Sequence, residues 1–517
     1  MQSTHPWVHS ATHPEKLAIV MADSDERCTY RELAESSNRY ARALRRMGLT
    51  RGDTVSILLE NRPEYLALCW AAKNTGLYYV CVSAHLTAAE AAYIVGNSGS
   101  RLLIGSQSTR DVVAGMRDVL GAACSYTLLD VSTPAEPGLE TLSREMSSET
   151  LEDPWRGASM LYSSGTTGRP KGIRVPLADV TPDVAPVRHA MLVAAFDFNE
   201  ATVFINPGPL YHAGPLRFAM SVHRAGGTVV LNRKFDVLTV LRAMQSLRVT
   251  HGLFVPTMFV RMLRLSDDLR RPFTFPSLRC AVHAAAPCPV LIKQQMLDWW
   301  GPVIFELYGG TEGSGTTVIS ACDWLTHKGS VGLPLAGCEV HIVDEAGEEV
   351  PANVQGRIFF KSPRTFEYFN DPERTAAVHH IRGWTTMGDI GYVDEGGYLY
   401  LTDRQADMII SGGVNIYPQE AENVLQSHPH VADVAVIGVP DEEYGEQVRA
   451  VVQPEPGIEA SPEFARDLIS FCRAQLSSIK CPRAVDFVDR LPREENGKLY
   501  KRLLKDVYWK GHSTRII

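Results

Sequence analysis

Ser163-Ser164-Gly165-Thr166-Thr167-Gly168-Arg169-Pro170-Lys171 is the stretch on which the fold turns. It follows a short apolar run, Ala158 to Tyr162, that reads as a strand. Hydroxyls and glycines then alternate at the density of a loop that wraps a polyphosphate. Glycine lets backbone N–H groups approach phosphate oxygens, the hydroxyls donate further hydrogen bonds, and Lys171 adds positive charge. The order differs from a Walker A loop, which needs Gly-Lys-Ser/Thr; here Pro170 precedes the lysine and Gly172 follows it. A P-loop NTPase is therefore disfavoured.

The surrounding chain is built in α/β layers. Thr29-Tyr30-Arg31-Glu32 reads as a helix capping box, with Leu33, Tyr40, Ala41 and Leu44 facing inward. Apolar runs at Thr54 to Leu59 and Arg101 to Ile104 alternate with helical patterns, which favours stacked α/β layers. Ser132 to Arg156 is polar, acidic and proline-bearing, and reads as a surface excursion. Glu339 to Val343 and Gly356 to Lys361 are short strands of a small β-rich subdomain, joined through Asp344-Glu345-Ala346-Gly347. Past Leu401-Thr402-Asp403-Arg404 the pattern becomes a compact α+β one. Strands are expected at Val434 to Val439 and Val448 to Val452, and a helix at Ser461 to Leu476. The boundary divides 1–402 from 403–517.

Bulk properties narrow the function classes. The 517 residues are 45% apolar and 21% charged, ordinary for a soluble globular protein. A net charge of −8 and the lack of a Lys/Arg run argue against nucleic-acid binding. The ten cysteines form no Cys-x-x-Cys pair, so buried thiols are expected rather than zinc ligands or disulfides. The N-terminus carries no signal-like pattern, and the apolar stretch from Tyr65 to Val82 is broken by Lys73 and Asn74. No membrane span is expected, and a cytoplasmic location is.

The string Ser-Gly-Thr-Thr-Gly-x-Pro-Lys-Gly resembles the phosphate loop of the adenylate-forming superfamily of acyl-CoA synthetases, peptide-synthetase adenylation domains and beetle luciferases. Further segments match it in the family's order. Pro209-Leu210-Tyr211-His212-Ala213-Gly214 resembles the histidine motif beside the carboxylate pocket, and Tyr308-Gly309-Gly310-Thr311-Glu312 the Tyr-Gly-x-Thr-Glu motif. Trp384 to Asp389 is similar to the ribose-binding segment. Asp403-Arg404 through Gly412-Gly413 to Glu420 resembles the hinge and thioester loop, and Asn496-Gly497-Lys498-Leu499 the terminal lysine motif. Alone, a glutamate after threonine or a lysine near the C-terminus is ordinary surface charge. In this order they are not.

The resemblance implies an enzyme with a large N-terminal α/β domain and a small, mobile C-terminal lid. ATP, Mg²⁺ and coenzyme A are the implied cofactors. A carboxylate must attack the α-phosphate of ATP, so two anions meet and cations must neutralise the developing charge. By resemblance, Ser163, Ser164, Gly165, Thr166, Thr167, Gly168 and Lys171 cradle the phosphates, and Glu312 holds Mg²⁺. Lys498 bridges the substrate carboxylate and the α-phosphate. Asp389 accepts the ribose hydroxyls with Arg404 nearby, and Tyr308, with Gly309 and Thr311, flanks the adenine. Asp403 is the hinge, and Gly412 and Gly413 line the pantetheine tunnel. The acid pocket is expected at His212, His283-Ala284-Ala285-Ala286-Pro287 and Gly309, Gly310 and Gly313. Small residues there, with no aspartate to clamp an amino group, favour an apolar acid over an amino acid. Ile409 to Pro418 and Leu499-Tyr500-Lys501-Arg502 look most like the bacterial fatty-acid and steroid or terpenoid acyl-CoA synthetases of the family, which implies a long-chain or polycyclic acid. Two departures stand out: Val175-Pro176 replace the family's Thr-His pair, leaving the following helix in doubt, and Gln405-Ala406 stand where many relatives carry lysine. The acyl acceptor is free CoA or a carrier-protein phosphopantetheine, and a non-catalytic nucleotide-binding scaffold is the reading from another class. A monomer or homodimer is expected.

Overall fold

The computed structural model describes residues 4–133, 137–163, 170–363, 366–404, 407–411, 414–441, 444–494 and 497–510, apart from the side chains of Asp118, Asp403, Arg404 and Asn415. The molecule is mixed α/β, a large N-terminal domain followed by a small C-terminal one.

Among the described residues two large sheets and a three-stranded one, Glu367–Tyr368, Lys171–Arg174 and Leu161–Ser163, build the N-terminal domain; the large two make its layers. One holds Ser125–Leu128, Ser100–Gly105, Thr54–Ile57, Tyr78–Cys81 and Ala158–Ser159 in that order, all parallel. The other is a continuous thirteen-strand path. Its parallel part runs through Leu17–Met21, Thr228–Leu231, Val203–Asn206, His251–Phe254, Cys280–His283 and Ile304–Gly309. The strands Thr54–Ile57, His251–Phe254 and Cys280–His283 are buried along their whole length, as strands covered on both faces by helices must be.

After Gly309 the path turns antiparallel, through Thr316–Ile319 and Ser330–Pro334 to Leu399–Arg404, Thr385–Val393, Gly356–Lys361 and Glu339–Val343. The expected β-rich subdomain is thus an extension of the main sheet, with Glu339–Val343 and Gly356–Lys361 at the bounds read from sequence. The join lies where Ser330 and Gly332 pair with Tyr400 and Leu399.

Three local expectations are corrected. The run Ala158 to Tyr162 is two strands, not one. Ala158–Ser159 joins the parallel sheet, and Leu161–Ser163 pairs antiparallel with Lys171–Arg174, the change of partner falling at the fully buried Met160. Lys171–Arg174 is itself a strand, so no helix follows the loop directly. The excursion from Ser132 to Arg156 contains a helix, Leu139–Arg144, whose buried Leu139 joins the core beneath Tyr30–Arg46. Arg42 donates to the carbonyls of Ser147, Glu149 and Thr150 above it.

The C-terminal domain has its own core. Val431–Asp441 pairs antiparallel with Gly445–Pro454, which pairs parallel with Ala484–Phe487. The helices Pro418–Gln426 and Pro462–Arg473 bring Leu425, Leu468 and Cys472 into that core, while Lys501–Tyr508 lays Leu504 and Tyr508 against Ala435, Ile437 and Val439. All ten cysteines are free thiols. Among the described residues no helix is long and apolar enough to cross a membrane.

Candidate active site

In open parallel sheets ligands bind beyond the carboxyl ends of the strands. Here the segments leaving Val203–Asn206, His251–Phe254, Cys280–His283 and Ile304–Gly309 all open onto one cleft of about 1800 Å³. The C-terminal domain closes it from the other side, with Arg493, Glu494, Gly497 and Lys498 among its walls.

Tyr308 and Asp389 come from different halves of the long sheet. The Tyr308 hydroxyl donates to Asp389 Oδ2 at 2.6 Å, and Asp389 lies opposite Arg404 in strand register. Gly310 is tightly enclosed: a Cβ there would meet Met387 Sδ at 2.3 Å and Glu312 Oε2 at 2.6 Å, so both side chains would have to shift. Glu312 accepts from the Tyr368 hydroxyl at 3.0 Å, and Lys171 Nζ lies 4.8 Å from the centre of the Tyr368 ring. Burial lowers the Lys171 amine and Arg374 pushes the same way, while Glu312 opposes them. Tyr368 was invisible as a site residue because its only local signal is a two-residue strand; the pairing of Glu367–Tyr368 with Arg174 and Ile173 brings it in.

Arg217 is a second residue that sequence reasoning missed. It lies on Ala213–Arg224, in the helix that His212 caps, and donates to the Thr311 carbonyl at 2.8 Å. Burial brings its guanidinium down to about 10, with Glu312 pulling the other way.

His212 caps the same helix, with its backbone extended. Asn61 holds the approach to it, donating to the Gly208 carbonyl at 3.1 Å and accepting from Leu210 N–H at 2.8 Å. His212 Nε2 is 3.6 Å from Glu494 Oε2 of the C-terminal domain. Burial lowers the ring to about 4; Glu494 raises it and Lys498 lowers it further, so the imidazole is neutral at pH 7. Lys498 faces the cleft from a tight reversal in which Glu494 N–H donates to the Lys498 carbonyl at 2.9 Å.

Ala284, Ala285, Gly309, Gly310, Thr311 and Gly313 line the cleft, and Ala286 and Pro287 with them. His283 does not. Its side chain is fully buried beneath the wall, with Nε2 3.4 Å from Glu306 Oε2, which also accepts from Lys293 Nζ at 2.7 Å. A covered central strand buries both faces, so the side chain before Ala284 points into the core. Burial works against the Glu306 charge, yet His283 and Lys293 hold its carboxyl at about 2. Ser163 ends the strand Leu161–Ser163 and pairs with Lys171. Ser164, Gly165, Thr166, Thr167, Gly168, Gly412 and Gly413 lie outside the described residues, as do the side chains of Asp403 and Arg404.

Among the described residues no group of three or more His, Cys, Asp or Glu is placed to hold a metal. Glu312 is a single carboxylate with one oxygen bonded to Tyr368. That suits Mg²⁺, which takes one or two carboxylates and completes its shell with phosphate oxygens and water.

Comparison with known proteins gives the family. The AMP-binding enzyme family matches residues 7–369, and the AMP-binding enzyme C-terminal domain matches 420–498. A fatty acid–[acyl-carrier-protein] ligase of Streptomyces coeruleorubidus is 33% identical over 502 residues, covering 94% of this chain and 92% of the relative. A 2-succinylbenzoate–CoA ligase of Bacillus pumilus is 32% identical over 495 residues, 95% of each chain. A feruloyl-CoA synthase of an Amycolatopsis species is 33% identical over 476 residues, 92% of each. Among solved structures, the o-succinylbenzoate CoA synthetase of Bacillus subtilis, in complex with its acyl-adenylate intermediate, superposes with a TM-score of 0.83 at 29% identity, covering 98% of both chains. ATP-bound MatB from Rhodopseudomonas palustris gives 0.82 at 28% identity, covering 98% of this chain and 99% of its own. The chain belongs to the AMP-binding, adenylate-forming enzymes and is an AMP-forming acid–thiol ligase.

Proposed function

We propose that the enzyme activates an apolar carboxylic acid, long-chain or polycyclic, to its acyl-AMP and transfers the acyl group to coenzyme A. One observation carries this reading: Lys498, His212, Glu312 and the Tyr308–Asp389 pair, from distant parts of the chain, face one cleft. The apolar walls, with Met191, Leu192, Phe218, Leu253 and Leu307, support the choice of acid.

In the first step a carboxylate oxygen attacks the α-phosphorus and pyrophosphate leaves. Lys498 neutralises the two anions as they meet, and Lys171 with Thr166 and Thr167 grips the departing phosphates. Mg²⁺, when bound at Glu312, supplies charge neutralisation at the phosphates. Asp389 holds the ribose, and Tyr308 orients that carboxylate. Neutral His212 walls the carboxylate pocket without adding charge. In the second step the CoA thiolate attacks the acyl carbonyl and AMP leaves, the thiol arriving past Gly412 and Gly413. The lid, 403–517, rotates about Asp403 on the 1–402 body between the two steps. The enzyme works in the cytoplasm as a monomer or homodimer.

A second reading has an observation of its own: one 33% identical relative acts on an acyl-carrier protein. The purified protein should be incubated with ATP, Mg²⁺ and a panel of acids, with CoA, with a phosphopantetheinylated carrier protein, or with neither. Acyl-CoA from long-chain or polycyclic acids is expected. Acyl-AMP that loads only the carrier protein would replace CoA by that acceptor. Turnover confined to small polar acids would overturn the substrate assignment.

A further inference from the structure

The reversal that carries Lys498 is pinned from behind by an ion pair. Arg493 Nε and Nη2 donate to the two carboxylate oxygens of Asp433 at 2.5 and 2.7 Å, a bidentate fork. Its remaining arm, Nη1, donates to the Gly497 carbonyl at 2.7 Å, one residue before Lys498. Arg493 also bridges Leu499 in antiparallel register, and Gly497 N–H donates to the Glu494 carbonyl at 2.9 Å. Arg493 thus fixes the base and the turn of the lysine reversal together.

Asp433 sits where the strand Val431–Asp441 slips register against its partner, between Val431 and Asp433. Such a slip re-aims neighbouring groups to different sides. Here the carboxylate of Asp433 turns to Arg493, and the carbonyl of Ala432 turns to the N-terminal domain, where Arg264 Nη2 donates to it at 2.7 Å. Arg264 also pairs with Glu455 at 2.7 Å. Arg264 is the C-cap of the helix Pro256–Leu263. At the other end of that helix Thr257 abuts Gly497 so closely that a Cβ on the glycine would lie 2.5 Å from Thr257 Oγ1. Thr257 and Arg264 are spaced by two helical turns and share one face. The lid therefore rests on one helix at two points, and Asp433–Arg493 is the strut between them.

We propose that Asp433 and Arg493 are positioning residues for adenylation: their ion pair couples docking of the lid on Pro256–Leu263 to delivery of Lys498 into the cleft. The inference rests on the reading that Lys498 serves the first half-reaction. Misplacing a charged group by about 1 Å costs about 100-fold in rate, so loss of the strut is expected to act on the turnover of one half-reaction and to leave affinity for ATP alone.

The test separates the half-reactions. Acyl-AMP formation is followed by pyrophosphate release from ATP and acid, and thioester formation is followed from supplied acyl-AMP and CoA. Asp433→Asn and Arg493→Ala should each slow the first about 30- to 100-fold with the KM for ATP within about 3-fold, and leave the second within about 2-fold. The double variant should be no slower than either single one, because the pair acts as a unit. Arg493→Lys, which keeps the charge and loses the fork, should fold normally and fall between. Equal loss in both half-reactions, no loss in the first, or additive losses in the double variant would each overturn the proposal. Lys498→Ala is run alongside. If it adenylates at the wild-type rate, the parent reading fails, and that outcome is distinct from intact lysine dependence with an indifferent Asp433→Asn.

Discussion

At Tyr308 a hydroxyl donates to a carboxylate 2.6 Å away and fixes the orientation of Asp389, the residue proposed to hold the ribose. A hydrogen bond to a charged acceptor contributes about 1.5–3 kcal/mol. Tyr308→Phe should therefore raise the KM for ATP about 10-fold or more with a smaller change in kcat, measured by steady-state kinetics; an unchanged KM would remove Asp389 from the ribose site. Arg217 makes a different argument. It holds the Thr311 carbonyl beside Glu312 and keeps a guanidinium inside the cleft against the cost of burial. Arg217→Met should lower kcat/KM about 10- to 100-fold by releasing the Thr311–Glu312 loop. Full activity in that variant would make Arg217 dispensable to the site. His212, held near 4 by burial, carries no charge at neutral pH. The adenylation rate should show no inflection near pH 6.5 that His212→Asn abolishes.

Among the elements, the helix Tyr30–Arg46 was readable residue by residue. Its capping box closes on both sides, with Thr29 accepting from Glu32 N–H and Glu32 accepting from Thr29 N–H at 2.7 Å, and Leu33, Tyr40, Ala41 and Leu44 are buried. These are contacts within one turn and one helix face, so local sequence contains them. The strand Ser330–Pro334 shows the opposite case. Gly332 has φ +92, and a Cβ there would lie 2.1 Å from the Val318 carbonyl oxygen of the neighbouring strand. Gly332→Ala is expected to destabilise the protein by more than about 2 kcal/mol, read as a lower urea midpoint. A midpoint within error of wild type would mean that the sheet join is plastic. Gly497 stands at φ +79, so Gly497→Ala should lower the urea midpoint through backbone strain and also slow adenylation, because the added methyl would strike Thr257.

Across the whole molecule, buried histidines set the response to acid. His5 is held well below its ordinary value, and His189 and His223 near 4, in each case by burial first and foremost. His223 is neutral by geometry as well. Trp70 Nε1–H donates to Nδ1 at 3.3 Å, which requires a bare nitrogen, and Nε2 meets the Ala18 carbonyl at 3.1 Å, which requires a proton. An unfolded chain protonates histidine near pH 6.5, whereas the folded chain keeps His189 and His223 neutral until about 4 and His5 neutral well below its ordinary value. The unfolded state thus binds more protons in that window, so stability is full above 6.5 and is lost as the pH falls toward 4. Glu306, held at about 2, adds a further loss below its ordinary value near 4.5. The melting temperature should fall steadily from pH 6.5 to 4.5; a flat profile there would show that the buried rings are reached by water.

The order of the segments around Ser163, His212, Tyr308 to Glu312, Asp389 and Lys498 lay open in the sequence, because each is a short string that resembles a motif of the adenylate-forming family and they stand in the family's order. The periodicities of Tyr30–Arg46, Glu339–Val343 and Gly356–Lys361 were equally local. Tertiary structure alone decided that Met160 marks a change of sheet, that His283 faces Glu306 rather than the cleft, and that Tyr368 and Arg217 attend Glu312. It also decided that Asp433, sixty residues from Arg493, pairs with it beside Lys498. Each of these depends on which strands pair and which faces they cover, and such long-range pairings leave no trace in the spacing of neighbouring residues.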